Sequence, residues 1–152
     1  RLSGDAEETI GMASVLLAQS KLTPELANEA RYARAKARLG KGESREAVDD
    51  LAELAKDTRN VYGAEAKYLL AQLYFDAGET EKAEKEVLGY IEVSTPHTYW
   101  LARSFVLLSD IYVKMGRNLD AKQYLLSLKQ NYQEQYDIQE MIETRLAQLN
   151  KK

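Results

Sequence analysis

The chain has no cysteine, only two prolines and eight glycines, and a single histidine and a single tryptophan. The lack of cysteine excludes disulfides and thiolate metal sites, and it leaves the redox compartment open, because that absence suits cytosol and periplasm alike. Neither sign of charge dominates: 21 basic residues face 24 acidic ones for a formal charge of −3, too little field to draw in a polyanion such as nucleic acid. Long hydrophobic runs are missing too. The most apolar stretches, Met12 to Ala18 and Phe105 to Leu108, fall far short of the roughly 20 residues that a membrane span requires, so no transmembrane segment is expected.

The chemistry inventory is equally thin. His97 has no second histidine or cysteine to complete a metal set, and no serine stands in a recognisable nucleophile setting, so His97 reads as a cap or joint residue. The acidic pairs Glu7-Glu8 and Asp49-Asp50 do not share a face, since neighbours on a helix point about 100° apart. No glycine-rich phosphate loop occurs. Ten tyrosines offer stacking platforms for single-stranded RNA, yet they come without a basic field or a regular pair of base-reading positions. The expectation is a chain that is not an enzyme, with no catalytic residue, no metal site, no cofactor and no nucleic-acid partner.

What is present is a register. Gly42, Gly78 and Gly116 stand 36 and 38 residues apart (78 − 42 and 116 − 78), and each is followed five positions later by an alanine: Ala47, Ala83 and Ala121. A period in this range marks one supersecondary piece stacked on copies of itself. Before Gly78, residues Ala66, Leu69, Leu70, Leu73, Tyr74 and Ala77 recur at helical spacing; after it, Ala83, Val87, Leu88 and Ile91 do the same. Phe105, Leu108, Ile111, Tyr112 and Met115 precede Gly116, with Ala121, Leu125 and Leu128 after it. Thr23-Pro24 and Thr95-Pro96 supply start signals, threonine accepting from a free N–H while proline sits where its missing donor costs nothing. Asn60-Val61-Tyr62-Gly63 marks the joint between them.

The reading is all-α, a right-handed α-solenoid of antiparallel helix pairs with about eight helices, forming one domain over residues 1–152. A half-repeat helix at 4–20 shows Ala6, Ile10, Ala13, Leu16 and Leu17 on its apolar side. Repeats follow at 25–58, 62–93 and 96–131, and a closing helix at 134–150 turns Ile138, Met141, Ile142, Leu146 and Leu149 inward. Glu134, Glu140, Glu143, Arg145, Lys151 and Lys152 are left to water. The start at Arg1, with no secretion signal behind it, leads to the expectation of a piece of a longer repeat protein.

Leu70-Ala71, Tyr74, Gly78, Ala83 and Tyr90, with Leu108-Ser109, Tyr112, Gly116, Ala121 and Leu128 in the next pair, resemble the tetratricopeptide repeat. The longer joints at Thr58 to Gly63 and Val93 to Thr98 are similar to those of bacterial cell-envelope proteins, which implies a periplasmic or lipoprotein-anchored scaffold. Further, the resemblance implies that the first helix of each pair lines a concave groove for a peptide or protein segment. That face would run through Glu29, Tyr32, Lys36 and Leu39, then Glu65, Tyr68, Gln72 and Phe75, then Arg103, Val106, Asp110 and Val113, each set on one side of its helix. The rival role is structural: self-association as a homo-oligomer, with no independent ligand. Trp100, at the start of a repeat, is expected to pack between repeats.

The first repeat departs from the pattern at Arg34 and Arg38, which replace the leucine and tyrosine. With Arg31 they form a stripe at i, i+3 and i+7 that either grips an acidic partner or is neutralised within the chain by Asp49, Asp50, Glu53 and Asp57. The second reading is favoured, because arginine stems also serve as packing surface.

Overall fold

The computed structural model describes residues 2–93 and 95–151. Arg1, Ser94 in the second long joint and Lys152 lie outside the described residues. Among the described residues there are eight helices and no strand: α1 (Leu2–Leu17), α2 (Pro24–Gly40), α3 (Ser44–Leu54), α4 (Val61–Asp76), α5 (Thr80–Glu92), α6 (Thr98–Lys114), α7 (Asn118–Asn131) and α8 (Tyr136–Asn150). α1 ends at Leu17, where the spacing predicts residue 20, and α3 ends at Leu54, four residues before the expected end of the first repeat at 58.

The glycine register is the register of the turns. Gly42, Gly78 and Gly116 have φ of 81°, 82° and 79°, the left-handed region that an L side chain rarely adopts. Each closes the same six-residue loop. Gly42 N–H donates to the Leu39 carbonyl at 3.0 Å and Glu43 N–H to that of Arg38 at 2.8 Å. Gly78 and Glu79 do so to Phe75 and Tyr74, and Gly116 and Arg117 to Val113 and Tyr112. These bonds satisfy carbonyls that a helix end otherwise leaves bare. The alanine five positions on makes the first bond of the next helix: Ala47, Ala83 and Ala121 donate to Glu43, Glu79 and Arg117, and all three are fully buried. Because nothing lies within 4 Å of a Cβ built at Gly42, Gly42→Ala isolates the backbone strain. We expect it to cost about 1–2 kcal/mol, read as a lower denaturation midpoint in urea.

The two threonine-proline signals part company. Thr23 caps α2, its hydroxyl accepting from Leu26 N–H at 3.2 Å with Pro24 at the first helical position. At the second signal Thr95 accepts from His97 N–H at 3.2 Å, a local turn two residues long, and α6 begins only at Thr98 with His97 at its cap. The hydroxyl that would cap the helix is engaged by that turn, so Pro96 precedes the helix instead of opening it.

Two compact units divide the chain, Arg1–Leu70 and Ala71–Lys152. In the first, α1 packs on α2 and α2 on α3. Its core is made of small residues, Ala13, Ala30, Ala35, Ala47 and Ala64, around Leu51 and Leu54. Small residues let backbones come close, and the joint before α4 uses this to the limit: a Cβ on Gly63 would stand 1.9 Å from the Asp57 carbonyl oxygen and 2.5 Å from that of Leu54. Asn60 starts α4, its side chain accepting from Tyr62 N–H at 2.8 Å. In the second unit α5 packs on α6, α6 on α7, and α8 on both α6 and α7. Ile138, Ile142 and Leu146 of α8 bury themselves against Ala102, Val106, Leu125 and Leu128. Glu143 of α8 pairs with Lys129 of α7 at 2.7 Å.

Two arginines of the stripe, Arg34 and Arg38, meet a carboxylate within the first unit. Where the other helix pairs bury Leu70 and Leu108, Arg34 reaches Asp50 with Nε at 2.7 Å and Nη2 at 2.8 Å, and donates from Nη1 to the Ser14 hydroxyl at 3.0 Å. Arg38 stands 3.7 Å from the same carboxylate and donates to the Glu46 carbonyl. Arg31 adds its field to Glu53, whose carboxyl is held below its ordinary value first by Lys56.

Candidate functional site

The face expected from the first helices is partly open and partly closed. In the first unit Tyr32, Lys36 and Glu65 meet: the Tyr32 hydroxyl donates to Glu65 Oε1 at 2.7 Å and Lys36 Nζ to Oε2 at 2.5 Å. The Tyr32 ring also lies 4.6 Å from that of Tyr62. Glu65 is buried, and its two oxygens are occupied by these donors. Tyr68 is buried as well, and Leu39 is half-buried, so in this unit only Lys36 and the neighbouring Glu29 are exposed.

In the second unit Val106 is buried in the core that α8 covers, because α8 lies along the middle of the face α6 was expected to present. Arg103 donates to the Tyr99 hydroxyl at 3.0 Å and lies 5.7 Å from the Trp100 ring centre. Trp100 in turn meets Tyr99 edge-on, a contact within α6. Gln72 donates to Asp76 at 2.9 Å along its own helix. Three of the expected residues come together: Phe75, Asp110 and Val113 line one groove of about 660 Å³, with Ser109 and Lys114 from α6 and Arg145, Gln148 and Leu149 from α8.

This groove combines apolar walls with a fixed polar pair. Val113 is exposed, while Phe75 and Leu149 are half-buried and offer ring and methyl surface. Across from them Arg145 holds Asp110 through two parallel bonds, Nε to Oδ1 at 2.8 Å and Nη2 to Oδ2 at 2.9 Å, with about a third of each side chain still open to solvent. Arg145 also donates to the Met141 carbonyl, which fixes its stem along α8. Arg145 was expected in water; Asp110 draws it inward instead. The sequence signal was weak: Asp110 is the sole carboxylate of α6, but Lys114 one turn on in the same helix offers it a cation, so nothing in the sequence points to Arg145. Gln148 was missed because nothing in a closing helix distinguishes an outward glutamine from a groove-lining one.

Tyrosines dominate the electrostatics. The phenols of Tyr32, Tyr90, Tyr99, Tyr112 and Tyr132 are all raised above their ordinary 10.0, desolvation being the largest cause in each. For Tyr32 the bond to Glu65 adds to burial, and for Tyr99 the bond to Asp137 does. A raised folded-state value means that folding favours the protonated phenol. That stabilisation is whole below about pH 10 and is lost as pH rises through the folded-state values. An alkaline titration should therefore show these phenols ionising together with loss of the helical signal above pH 10; ionisation at the free-tyrosine value with helices intact would contradict it.

No family model matches the chain, and neither a curated protein nor a solved structure matches it significantly.

Proposed function

We propose that the chain is a non-enzymatic protein-interaction module of the tetratricopeptide kind, and that it takes a peptide or protein segment into the α6/α8 groove. The observation that carries this reading is the composition of the groove: apolar surface on Phe75, Val113 and Leu149 beside a bidentate Asp110–Arg145 pair and the amide of Gln148. Apolar surface supplies affinity, while a few fixed polar groups set register and orientation. Both polar groups sit on helices, so they are oriented before a partner arrives, which lowers the ordering cost of binding. The three turn glycines and their alanines support the kinship, since they recur at fixed offsets with the same backbone geometry.

A displayed peptide library selected against the intact chain tests this. Peptides recovered on the unmodified protein should bind Val113→Arg and Phe75→Ser about tenfold or more weakly, a loss of about 1.4 kcal/mol or more. Undiminished binding to both variants would place the ligand elsewhere and overturn the reading.

A further inference from the structure

The α6/α8 groove offers more hydrogen-bond donors than acceptors. Its charged lining residues are Asp110, Lys114 and Arg145, two cations to one anion. Asp110 is already satisfied, since each of its oxygens accepts from Arg145. Arg145 still has donors to give: a guanidinium carries five N–H groups, and three of them go to Asp110 and to the Met141 carbonyl, which leaves two. The exposed amides of Asn118 and Gln148 add further donors, while the Ser109 hydroxyl is already bonded to the Val106 carbonyl at 2.7 Å.

Lys114 is left over. It stands one turn after Asp110 on α6, a spacing at which opposite charges commonly pair. Asp110 reaches across to α8 instead, and among the described residues Lys114 has no ion pair. Carboxylates on the flanking helices are engaged elsewhere: Asp76 with Gln72 along α4, Asp120 with Arg117 along α7, and Glu143 with Lys129. The groove therefore combines apolar surface on Phe75, Val113 and Leu149 with one uncompensated positive charge.

We propose that the segment this groove receives is acidic. An apolar side chain of the segment lies on Phe75, Val113 and Leu149, and neighbouring Asp or Glu side chains accept from Lys114 and from the open N–H groups of Arg145. This rests on the reading of the α6/α8 groove as the site of a partner segment, and adds the charge of that segment to it. A carboxylate is the acceptor that suits ammonium and guanidinium alike, and hydrogen bonds between ionised groups are the strong ones. Beside an apolar contact such pairs fix register and select against partners of the other sign.

Peptides recovered from a displayed library on the intact chain are sequenced, and representatives are synthesised with amidated C-termini so that only side-chain carboxylates remain. Those that lose binding on Phe75→Ser should be richer in Asp and Glu than in Lys and Arg, with affinity falling as salt is added. For such a peptide Lys114→Gln should weaken binding about three- to fivefold and Lys114→Glu about tenfold or more. Lys114 is exposed, so circular dichroism should show the helices of both variants intact. Lys85→Gln, at an exposed lysine of α5 outside the lining, should leave the affinity unchanged. Groove-binding peptides that are neutral or basic, or that ignore Lys114→Glu, would overturn the proposal while leaving the groove reading in place. Equal weakening by Lys85→Gln would overturn it by reducing the effect to net charge. Loss of binding on amidation would overturn it by assigning the cations to a chain-terminal carboxylate. Peptides indifferent to Phe75→Ser would overturn the groove reading itself, and the proposal with it.

Discussion

Gly63→Ala should destabilise the protein by about 3 kcal/mol or more, near the upper end for overpacking a tight contact. The reason is the identity of the atoms in the way. The new methyl would stand 1.9 Å from the Asp57 carbonyl oxygen, 2.5 Å from that of Leu54 and 2.8 Å from the Asp57 carbonyl carbon, all of them backbone. A side chain can swing aside at little cost, but here the end of α3 and the start of α4 must separate. That movement would pull on the bond from Tyr62 N–H to Asn60 and on the bond from Asn60 N–H to the Asp57 carbonyl. Gly11→Ala is the control: it sits on the exposed side of α1 with nothing within 4 Å of a new Cβ. In the middle of a helix the alanine should stabilise by about 0.5–1 kcal/mol. Denaturation midpoints moving in opposite directions are the expected result; a Gly63→Ala protein as stable as the parent would contradict the close approach.

The second large effect concerns Arg34 and Arg38. Replacing both with methionine should cost about 3–5 kcal/mol, because the Asp50 side chain, only 4% exposed, would be left as an uncompensated buried charge. Adding Asp50→Leu to that pair should recover most of the loss, since a well-packed apolar trio in place of a buried ion cluster is often neutral or stabilising. Thermal melting of the double and triple variants separates the two cases. An unchanged or raised melting temperature in the double variant would contradict a structural role for the cluster.

What the sequence disclosed followed physical necessity. A left-handed turn residue has to be glycine in practice, so Gly42, Gly78 and Gly116 revealed the three turns, and the apolar periodicity around them revealed eight helices. Arg34 was legible for the same reason: an arginine in a leucine's place, with carboxylates one helix on, has few ways to be satisfied. The contacts that depend on how one helix lies across another were not legible. Tyr68 shares its stripe with the half-buried Gln72 and Phe75, and Val106 shares its own with Arg103 and Asp110, so only packing sets these two apart as buried. Arg145 stands among polar positions of the closing helix in the sequence, and only the packing of α8 on α6 sets Asp110 opposite it. Gly63 read as a joint residue, whereas the reason it must be glycine lies on the backbone of the preceding helix. The delay of α6 to Thr98 depended on which N–H the Thr95 hydroxyl would take, and two were within reach of the same pattern.

The central claim is that the α6/α8 groove is where a partner segment binds. The most direct measurement is a backbone amide NMR titration of the intact chain with a peptide selected on it. The account predicts shifts concentrated at Phe75, Asp110, Val113, Arg145, Gln148 and Leu149. Shifts confined to other residues, or none at saturating peptide, would contradict it.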